Sequence, residues 1–331
     1  MKKERLNPGT ILAVSGGYWQ SCALHAGVVT GIFTAMENGP ATANKIAERI
    51  NADARATKML LNALTAMGLV MHKDGKYENT ELSAAFLIKG SPQYIGHIIM
   101  HHHFLVESWS RLHEAVATGK PVRKQPQYTD EIQRESFLMG MFNLARFIAP
   151  RLSGQLEFKG KKHLLDLGGG PGTYSIYFCK ANPELSATIY DLETTRPYAM
   201  AMIEKFKLSD RIAFVSGNYI EDEIKGSYDT AWLSHILHGE GPDTCLAILK
   251  KTAAALVAGG TIYIHDFILN NTEDGPLFPA LFSLNMLLGT PNGQAYTEKQ
   301  LKEMLRKTGF RNIKRLPFTG PNDSAILSAT K

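Results

Sequence analysis

The sequence predicts an α/β protein in which a Rossmann-like, parallel-sheet domain follows a mostly helical N-terminal domain. After Leu152, short apolar runs alternate with helical stretches, as is typical of a parallel sheet covered on both faces. These runs lie at 163–167, 187–192, 211–217, 228–235 and 259–267. Before Leu152, the apolar residues follow a helical period instead. With 331 residues, the chain also has room for two domains.

The first predicted element is a pair of helices between Gly9 and about Glu37, where small and apolar residues dominate and charges are few. A helix that is apolar nearly all round is a buried helix. The pair therefore needs a partner surface, and a second copy of the chain is the expected partner.

The next elements are typical of a winged helix. Residues 41–50 form a helix, Asp53 opens a second helix, and Asp74-Gly75 marks a hairpin. A winged helix that reads DNA presents a row of polar and basic side chains. The second helix offers only Arg55 and Lys58 as basic residues, so a structural or dimerisation role is favoured over nucleic-acid binding.

Residues 94–152 are predicted to be linker helices, because their aromatic and Met residues follow a helical pattern. Two further strand-like runs, 311–318 and 324–330, come after the parallel strands. The predicted domains are a winged-helix-like dimerisation domain over 1–100, and the linker helices with the sheet domain over 101–331.

Composition indicates which class of protein this is and where in the cell we expect it. Hydrophobic residues make up 44% of the chain and charged residues 20%, which is ordinary globular usage. The 36 basic and 31 acidic residues are mixed along the chain, which disfavours nucleic acid as the main partner. Three distant cysteines, Cys22, Cys179 and Cys245, fit neither a disulfide framework nor a zinc cluster. We expect a cytoplasmic protein without a membrane partner, because no apolar run reaches the length of a spanning helix.

The strongest motif joins a buried strand, Leu164 to Leu167, to a glycine loop and a helix. Gly168, Gly170 and Gly172 let the backbone turn sharply and approach a ligand. A dinucleotide site has the spacing G-x-G-x-x-G, whereas the third glycine here arrives one residue early. This spacing suits a ligand without phosphates, and S-adenosylmethionine has none.

Polar residues at the ends of the following strands complete the predicted cofactor site. Asp191 ends the second strand, where a carboxylate can accept ribose hydroxyls. Asn218 follows the third strand, where its amide could read the adenine edge. The predicted cofactor-binding residues are Asp166, Gly168, Gly170, Gly172, Asp191, Leu192, Asn218, Tyr219 and Ser234.

With these motifs in this order, nearly the whole chain resembles the small-molecule O-methyltransferases of the caffeic acid and acetylserotonin type. The resemblance implies an N-terminal winged-helix dimerisation domain, a C-terminal class I methyltransferase domain, and a homodimer. It also implies S-adenosylmethionine as cofactor, with S-adenosylhomocysteine as product. The family usually has Asp where Asn218 stands, so the adenine contact differs in detail.

Two histidines at the end of the fourth strand are candidates for a general base, His235 and His238. A histidine suits the removal of a phenolic proton, and position alone leaves both open. The resemblance favours His238, because Leu237-His238 matches the Leu-His that carries the family's base. Asp266 matches the acidic residue that orients it. The chain departs from the family at Gly239-Glu240, where Asp-Trp is usual, and at Ala295, where a second acid is usual.

The resemblance also implies an acceptor site built from the linker helices and the stretch before the C-terminal helix. It points to His103, Trp109, Met139, Phe142, Asn143, Asn285, Met286 and Tyr296. We expect no metal, because the run His101-His102-His103 would point its side chains in different directions on a helix.

The resulting hypothesis is methyl transfer to a hydroxyl of a small aromatic or polyketide-like acceptor. A C- or N-methyltransferase of a similar acceptor, and a non-catalytic S-adenosylmethionine-binding regulator that uses the winged helix, remain open as alternatives. An NAD-dependent oxidoreductase is disfavoured by the glycine spacing and by the lack of a Tyr-x-x-x-Lys pair.

Overall fold

The computed structural model describes residues 7–123 and 130–331, which divide into two compact units. The N-terminal unit comprises the residues up to Leu105 together with Glu135–Asn143. The C-terminal unit comprises Val106–Arg134 and Leu144–Lys331. The first unit is mostly helical, and the second contains the large sheet.

Short helices and one hairpin make up the N-terminal unit. The helices are α1 (Gly9–Gly16), α2 (Tyr18–Val29), α3 (Ile32–Ala35), α4 (Ala43–Arg49), α5 (Ala54–Ala66), α6 (Glu81–Leu87), most of α7 (Gly96–Ser110) and part of α9 (Glu131–Ala145). The strands are β1 (Val70–Lys73) and β2 (Lys76–Asn79), which pair antiparallel.

Local chemistry explains the winged-helix segment. The Asp53 side chain accepts a hydrogen bond from the backbone N–H of Ala56 at 2.8 Å and so caps α5. The turn of the hairpin places Asp74 and Gly75 at φ 49° and 74°, the left-handed conformation that a two-residue hairpin loop requires. Two helices followed by a hairpin are the order that the sequence predicts.

The core of the N-terminal unit forms around α3 and α5. Ile32, Phe33, Leu61 and Leu64 have no exposed surface. Gly27 lies so close to this core that a Cβ there would stand 2.9 Å from the Phe33 ring. A glycine at this position therefore lets α2 pack directly on the core.

The C-terminal unit is built on one mixed sheet. Its strands are β3 (His163–Leu167), β4 (Ser186–Asp191), β5 (Ile212–Ser216), β6 (Tyr228–Ser234), β7 (Leu256–Leu269), β8 (Tyr296–Thr297), β9 (Arg311–Arg315) and β10 (Ser324–Thr330). They follow the order β5-β4-β3-β6-β7-β10-β9, and β8 pairs with β7. The pairs from β5 to β7 are parallel, and those involving β10 are antiparallel.

The remaining helices are α8 (Leu112–Thr118), α10 (Ala149–Ser153), α11 (Thr173–Ala181), α12 (Arg196–Lys205), α13 (Pro242–Ala255), α14 (Leu277–Gly289) and α15 (Glu298–Lys307). Helices α8 and α10 precede the first strand of the sheet, and the other five connect its strands. Short 3-10 turns lie at Glu193–Thr195, Leu237–Gly239 and Pro321–Asp323.

The strand order decides where a ligand can bind. From β3 the chain moves outward to β4 and β5, and it then returns to the other side of β3 with β6. The carboxyl ends of these parallel strands meet at one edge, and the reversal between β3 and β6 opens a crevice there. The glycine loop, Asp191, Ser234 and Asp266 all lie at or near those ends.

The predicted fold class is confirmed, and all seven strand-like runs of the sequence are strands. One difference concerns β7, which begins at Leu256 rather than at 259. Gly259, at φ 74°, sits in a bulge where the pairing with β6 shifts register, so the strand continues through it. Among the described residues, no helix combines the length and the apolar character needed to cross a membrane.

Candidate active site

The glycine loop after β3 has a backbone that other residues would adopt only with strain. Gly168, Gly170 and Gly172 have φ values of 64°, 55° and 75°, in the left-handed region that favours glycine. A Cβ at Gly168 would also stand 2.6 Å from the Ile236 side chain. These glycines are thus required by conformation and, at Gly168 and Gly172, also by space, since a Cβ at Gly172 would clash with the Ile189 side chain.

Asp191 fastens this loop to the end of β4. Its carboxylate accepts hydrogen bonds from the backbone N–H of Gly170 at 2.8 Å, from the N–H of Leu192 at 2.7 Å, and from the Thr195 hydroxyl at 3.0 Å. Burial raises the pKa of Asp191, and these hydrogen bonds act in the opposite direction. A carboxylate has about four acceptor positions, so one remains for a ligand hydroxyl.

Asp166 lies beneath the same loop and is 1% exposed. Its carboxylate accepts a hydrogen bond from the Ser175 hydroxyl at 2.7 Å. A Cβ at Gly169 would stand 2.7 Å from this carboxyl carbon, so the loop backbone packs on it directly. Burial raises the pKa of Asp166 to about 7.

The raised pKa of Asp166 predicts how stability depends on pH. Its ordinary pKa is 3.8, so between pH 4 and 7 the folded state holds a proton that the unfolded state has released. The free energy of unfolding must therefore fall as pH rises through this window. Asp166→Asn should remove this penalty, and we expect its gain over wild type to grow to roughly 4 kcal/mol by pH 8, since each pKa unit corresponds to about 1.4 kcal/mol.

Denaturation with urea at several pH values between 4 and 8 measures this effect. Asp210→Asn is a matched control, because Asp210 is exposed. A stability difference between Asp166→Asn and wild type that does not change with pH would show that Asp166 is ionised throughout.

The other predicted cofactor residues lie at the same edge of the sheet. Asn218 Oδ1 accepts from the backbone N–H of Ile220 at 3.0 Å, so this oxygen is occupied within a turn. Tyr219 packs beside the core, and its ring faces the space above Gly168. The Ser234 hydroxyl lies 3.0 Å from Nδ1 of His265, which has no exposed surface.

The end of β6 and the adjacent part of β7, near its carboxyl end, bring the predicted base and its partner together. His238, in the 3-10 turn after β6, places Nδ1 2.7 Å from Oδ1 of Asp266, and their side chains are only 12% and 5% exposed. Burial alone would raise the pKa of Asp266, but the two nearby histidines, above all His238 with its hydrogen bond, hold this pKa well below its usual range. The carboxylate therefore stays ionised and can orient the imidazole.

His235 lies beside the same carboxylate but is held differently. Its Nδ1 is 3.6 Å from Oδ1 of Asp266, which is too long for a good hydrogen bond. The residue has φ 57°, and its ring packs 4.4 Å from the rings of His265 and Phe267. Burial lowers the pKa of His235, so the ring is neutral near pH 7.

His235, His238 and Asp266 could also offer one ligand atom each to a metal ion, because these atoms lie within 4.8 Å of one another. The 2.7 Å separation of His238 Nδ1 from Asp266 Oδ1 is that of a hydrogen bond. The observed geometry is therefore that of a carboxylate orienting an imidazole through a proton.

An aromatic wall borders His238. The ring of Phe282, on α14, meets the imidazole edge to face at 4.7 Å, and Phe267 lies nearly parallel to it at 6.1 Å. Phe278, one turn before Phe282, completes the group. The sequence analysis missed this wall, although the spacing of four between Phe278 and Phe282 could have indicated one face of a helix.

Of the residues predicted to contact the acceptor, four lie in the N-terminal unit. Three of them are on α9, and His103 is on α7. Asn143 is buried and donates to the Tyr94 carbonyl oxygen at 2.9 Å. Phe142 is buried beside it in sequence, and Met139 is half-buried on the same helix. His103 is exposed and packs edge to face against His25 at 5.8 Å.

In the C-terminal unit, Asn285 and Met286 lie on α14, the helix that carries Phe282. Asn285 Oδ1 accepts a hydrogen bond from Arg123 at 2.6 Å. Tyr296 is 2% exposed, and its hydroxyl donates to the Glu240 carbonyl oxygen at 2.5 Å. This hydroxyl is therefore committed to the fold. Trp109 is half-buried on α7.

The two departures from the family pattern, at Ala295 and at Gly239-Glu240, differ in whether they provide a carboxylate. Ala295 is buried, and its N–H donates to the Ser283 hydroxyl at 3.1 Å, so no acid stands there. At Glu240, burial raises the pKa and the proximity of His238 lowers it. Glu240 is therefore a second carboxylate within electrostatic range of the imidazole.

The charges around the glycine loop indicate which cofactor it can hold. Two buried carboxylates, Asp166 and Asp191, flank the loop, and residues 168–175 contain no Lys or Arg. Carboxylates repel a pyrophosphate but attract a cation. The residues therefore fit S-adenosylmethionine, a nucleoside with an ammonium and a sulfonium group and no phosphate.

Comparison with known proteins agrees with this site. A model of the O-methyltransferase domain matches residues 109–311, and a model of the O-methyltransferase dimerisation domain matches residues 12–89. The chain is 31% identical over 330 residues to the 3-hydroxy-5-methyl-1-naphthoate 3-O-methyltransferase of Streptomyces sahachiroi, covering 98% of this chain and 95% of that one. It is 27% identical to the acetylserotonin O-methyltransferase of Gallus gallus, covering 97% and 96%.

Solved structures show the same architecture. The structure of PigF with SAH has a TM-score of 0.91 and 28% identity, and covers 98% of this chain and 100% of that one. PigF of Serratia sp. is described as an S-adenosyl-L-methionine-dependent methyl transferase. An O-methyltransferase family protein from Burkholderia thailandensis has a TM-score of 0.89 at 25% identity, covering 99% of each chain. The chain belongs to the family of S-adenosylmethionine-dependent O-methyltransferases that carry a dimerisation domain.

Proposed function

We propose that this enzyme methylates a hydroxyl of a small aromatic or polyketide-like acceptor, with His238 as the general base. The observation that carries the proposal is the 2.7 Å hydrogen bond from His238 Nδ1 to the buried Asp266 carboxylate. A base held in this way against an aromatic wall suits a phenolic acceptor. S-adenosylmethionine supplies the electrophilic methyl carbon.

The protein's own part in the reaction follows from this hydrogen bond. Because Asp266 stays ionised, it accepts a hydrogen bond from the Nδ1–H of His238 and leaves Nε2 as the nitrogen with a free lone pair. Nε2 takes the proton of the acceptor hydroxyl as the oxygen attacks. Asp266 then stabilises the imidazolium that results.

We assign cofactor binding to the edge of the sheet. The remaining acceptor position of Asp191 suits a ribose hydroxyl. A cationic group bound near Asp166 would favour the ionised form of this carboxyl group and lower its pKa. Asn218 is assigned to the adenine through its amide nitrogen, because its oxygen is occupied. The other assigned residues are Gly168, Gly170, Gly172, Leu192, Tyr219 and Ser234.

The relatives support an aromatic acceptor but differ in the atom that they methylate. Their names specify 3-O-methylation of a naphthoate and 8-O-methylation in tetracenomycin polyketide synthesis. Others are an N,N-dimethyltransferase and an L-tyrosine C(3)-methyltransferase. The wall of Phe267 and Phe282 beside His238 supports a flat acceptor here. Asn285 and Met286 are the predicted acceptor contacts that share α14 with this wall.

The atom that receives the methyl group can be tested with matched acceptors. The enzyme is incubated with carbon-13 methyl-labelled S-adenosylmethionine and either β-naphthol or β-naphthylamine, which share one ring system. We expect NMR to show a methoxy carbon from the naphthol and little transfer to the amine. Faster N-methylation, or a methyl group on a ring carbon, would contradict the proposal.

We further propose that the enzyme is a homodimer formed through α1 and α2. These helices expose large apolar side chains in the single chain, among them Ile11 at 74%, Val14 at 80% and Trp19 at 69%. Several large apolar side chains exposed on two consecutive helices indicate an interface. The match of residues 12–89 to a dimerisation domain supports a second copy as the partner.

Trp19→Asp should therefore dissociate the dimer, because it would bury an unpaired charge in an apolar contact. Light scattering at micromolar concentration should give twice the chain mass of 36.5 kDa for wild type and a single chain for the variant. Met200→Asp is a matched control, since Met200 is an exposed apolar residue on α12. A wild-type protein that stays monomeric would overturn this proposal.

A further inference from the structure

A hydrogen-bond network of four side chains lies beside the glycine loop in the C-terminal unit. His265, on β7, has no exposed surface. Its Nδ1 is 3.0 Å from the Ser234 hydroxyl and 3.4 Å from the Tyr174 hydroxyl. Its Nε2 is 3.1 Å from the Ser324 hydroxyl. Tyr174 also forms a hydrogen bond with Ser234. One imidazole therefore joins β6, β10 and α11.

The charge and the tautomer of His265 follow from its surroundings. Burial lowers the pKa of His265 well below its usual range, so the ring is neutral and carries one N–H. Ser324 is 1% exposed, and within the described residues its hydroxyl has His265 Nε2 as its one hydrogen-bond partner. A buried O–H without an acceptor is costly. Ser324 therefore donates to Nε2, and the ring proton lies on Nδ1.

This tautomer fixes the role of the Ser234 hydroxyl. The Nδ1–H of His265 donates to the Ser234 oxygen, its nearest partner at 3.0 Å. Tyr174 is 8% exposed, and since Nδ1 accepts nothing in this tautomer, the Tyr174 hydroxyl donates to the Ser234 oxygen as well. A serine oxygen has two lone pairs. Both are occupied, so the hydroxyl proton of Ser234 is the group that it can offer to a ligand.

Ser234 is also the member of this network that reaches the surface. The other three members are buried, whereas Ser234 is half-buried. It is the last residue of β6, and the residue before it, Leu233, pairs with Leu167 at the end of β3. Ser234 therefore lies beside Gly168, the first glycine of the loop. Its proton is available at the edge of the sheet to which the cofactor is assigned.

The polar groups of the cofactor indicate which of them needs this donor. The ribose is assigned to Asp191 and the adenine to Asn218, and an ammonium group needs an acceptor instead. The carboxylate at the methionine end remains, and a carboxylate only accepts hydrogen bonds. Residues 168–175 contain no Lys or Arg that could pair with it. A hydroxyl with a fixed direction of donation suits this group.

From this geometry we infer that Ser234 donates a hydrogen bond to the methionine carboxylate of the cofactor, and that His265 is a positioning residue that keeps Ser234 a donor. The inference rests on the proposed cofactor site. It gives the imidazole next to Asp266 a part in cofactor binding that is separate from proton removal by His238.

A purely structural role for the network makes different predictions. His265 also packs against the rings of Trp232 and Phe318 at 5.6 and 5.7 Å, so its loss could disturb the core beside the sheet. Such a disturbance would weaken binding of all S-adenosyl ligands alike. If Ser234 binds the carboxylate, the loss must depend on whether the ligand carries one.

Two ligands that differ in one group test the carboxylate contact. S-adenosylhomocysteine and its decarboxylated form share the nucleoside, the sulfur and the amine, and calorimetry without a methyl acceptor gives the Kd of each. Ser234→Ala should weaken binding of S-adenosylhomocysteine by about tenfold, as expected for one hydrogen bond to a charged group. Binding of the decarboxylated form should not change. Ser328→Ala, at a half-buried serine of β10, is the matched control and should bind both ligands as wild type does.

Two amide variants test the part of His265. His265→Asn places an amide near the position of Nδ1 and can still donate to Ser234, whereas the longer side chain of His265→Gln reaches the position of Nε2 and keeps only the contact with Ser324. We expect His265→Asn to bind S-adenosylhomocysteine nearly as wild type does, and His265→Gln to show the selective loss of Ser234→Ala. Nitrogen-15 NMR of the wild-type protein should show the ring proton on Nδ1, with His265→Asn identifying the signals.

Each outcome is decisive. A ring proton on Nε2, unchanged binding of S-adenosylhomocysteine by Ser234→Ala, or a loss that is equal for the two ligands overturns the inference. Equal losses in His265→Asn and His265→Gln assign His265 a packing role instead. Failure of wild type to bind either ligand refutes the proposed cofactor site as well. Binding that is lost in Asp191→Ala but unaffected in Ser234→Ala keeps that site and overturns this inference alone.

Discussion

His238→Ala should lower kcat/KM for methyl transfer to a phenolic acceptor by about 10² to 10⁴, the usual contribution of a positioned general base. The substitution removes the only group for which we propose a proton-accepting role, and it leaves the Asp266 carboxylate without its partner at 2.7 Å. The affinity for S-adenosylmethionine should stay within about threefold of wild type, because the residues assigned to the cofactor are elsewhere. Steady-state kinetics and calorimetry measure the two quantities separately.

Two variants control for this result. His113→Ala removes an exposed histidine of α8 and should be neutral. His235→Ala removes the imidazole that lies 3.6 Å from the same carboxylate, and we expect a smaller loss than for His238→Ala, because His235 makes the weaker contact. A His235 variant that loses more activity than the His238 variant would show that the base has been assigned to the wrong histidine.

Asp191→Ala should weaken binding of S-adenosylmethionine at least about 100-fold. The change removes the carboxylate that is assigned to accept a hydrogen bond from the ribose. It also leaves the N–H groups of Gly170 and Leu192 without their hydrogen-bond partner. Each lost buried hydrogen bond costs about 1–3 kcal/mol. Calorimetric titration with S-adenosylmethionine measures the loss, with NAD as a ligand that should not bind either protein.

The matched control is Glu193→Gln, two residues further along the same loop. Glu193 forms an exposed ion pair with Arg196 at 2.9 Å, and such pairs contribute little. The affinity of Glu193→Gln for the cofactor should match that of wild type. Unchanged affinity in Asp191→Ala would refute the assignment of this carboxylate.

The sheet could be predicted because its strands are buried on both faces and therefore appear in the sequence as short apolar runs. Trp232 and Leu233 of β6, for example, are 0% and 1% exposed. The glycine loop was equally visible, since its left-handed backbone requires a residue type that stands out. The bulge at Gly259 could not be predicted, because a pair of glycines occurs both in turns and in strands that bend.

The site was predictable only where its residues lie close to strand ends. Asp191 follows from the strand pattern, whereas the choice of His238 and Asp266 among the residues near the strand ends came from the family resemblance. The distances that separate His238 from His235 come from the fold. Phe282 and the role of His265 were missed because their contacts also come from the fold. Ser324 meets His265 across 59 positions of sequence, and nothing local to either residue indicates that contact.

Acceptors of different acidity test the central claim, that His238 removes the proton of the acceptor hydroxyl, most directly. The ratio of wild-type to His238→Ala rates is measured for β-naphthol and for a nitronaphthol that is already ionised at neutral pH. The account predicts a large ratio for the naphthol and a ratio near one for the nitronaphthol, because an ionised oxygen needs no base. Equal ratios for the two acceptors would contradict it and would assign His238 to orienting the acceptor rather than to proton removal.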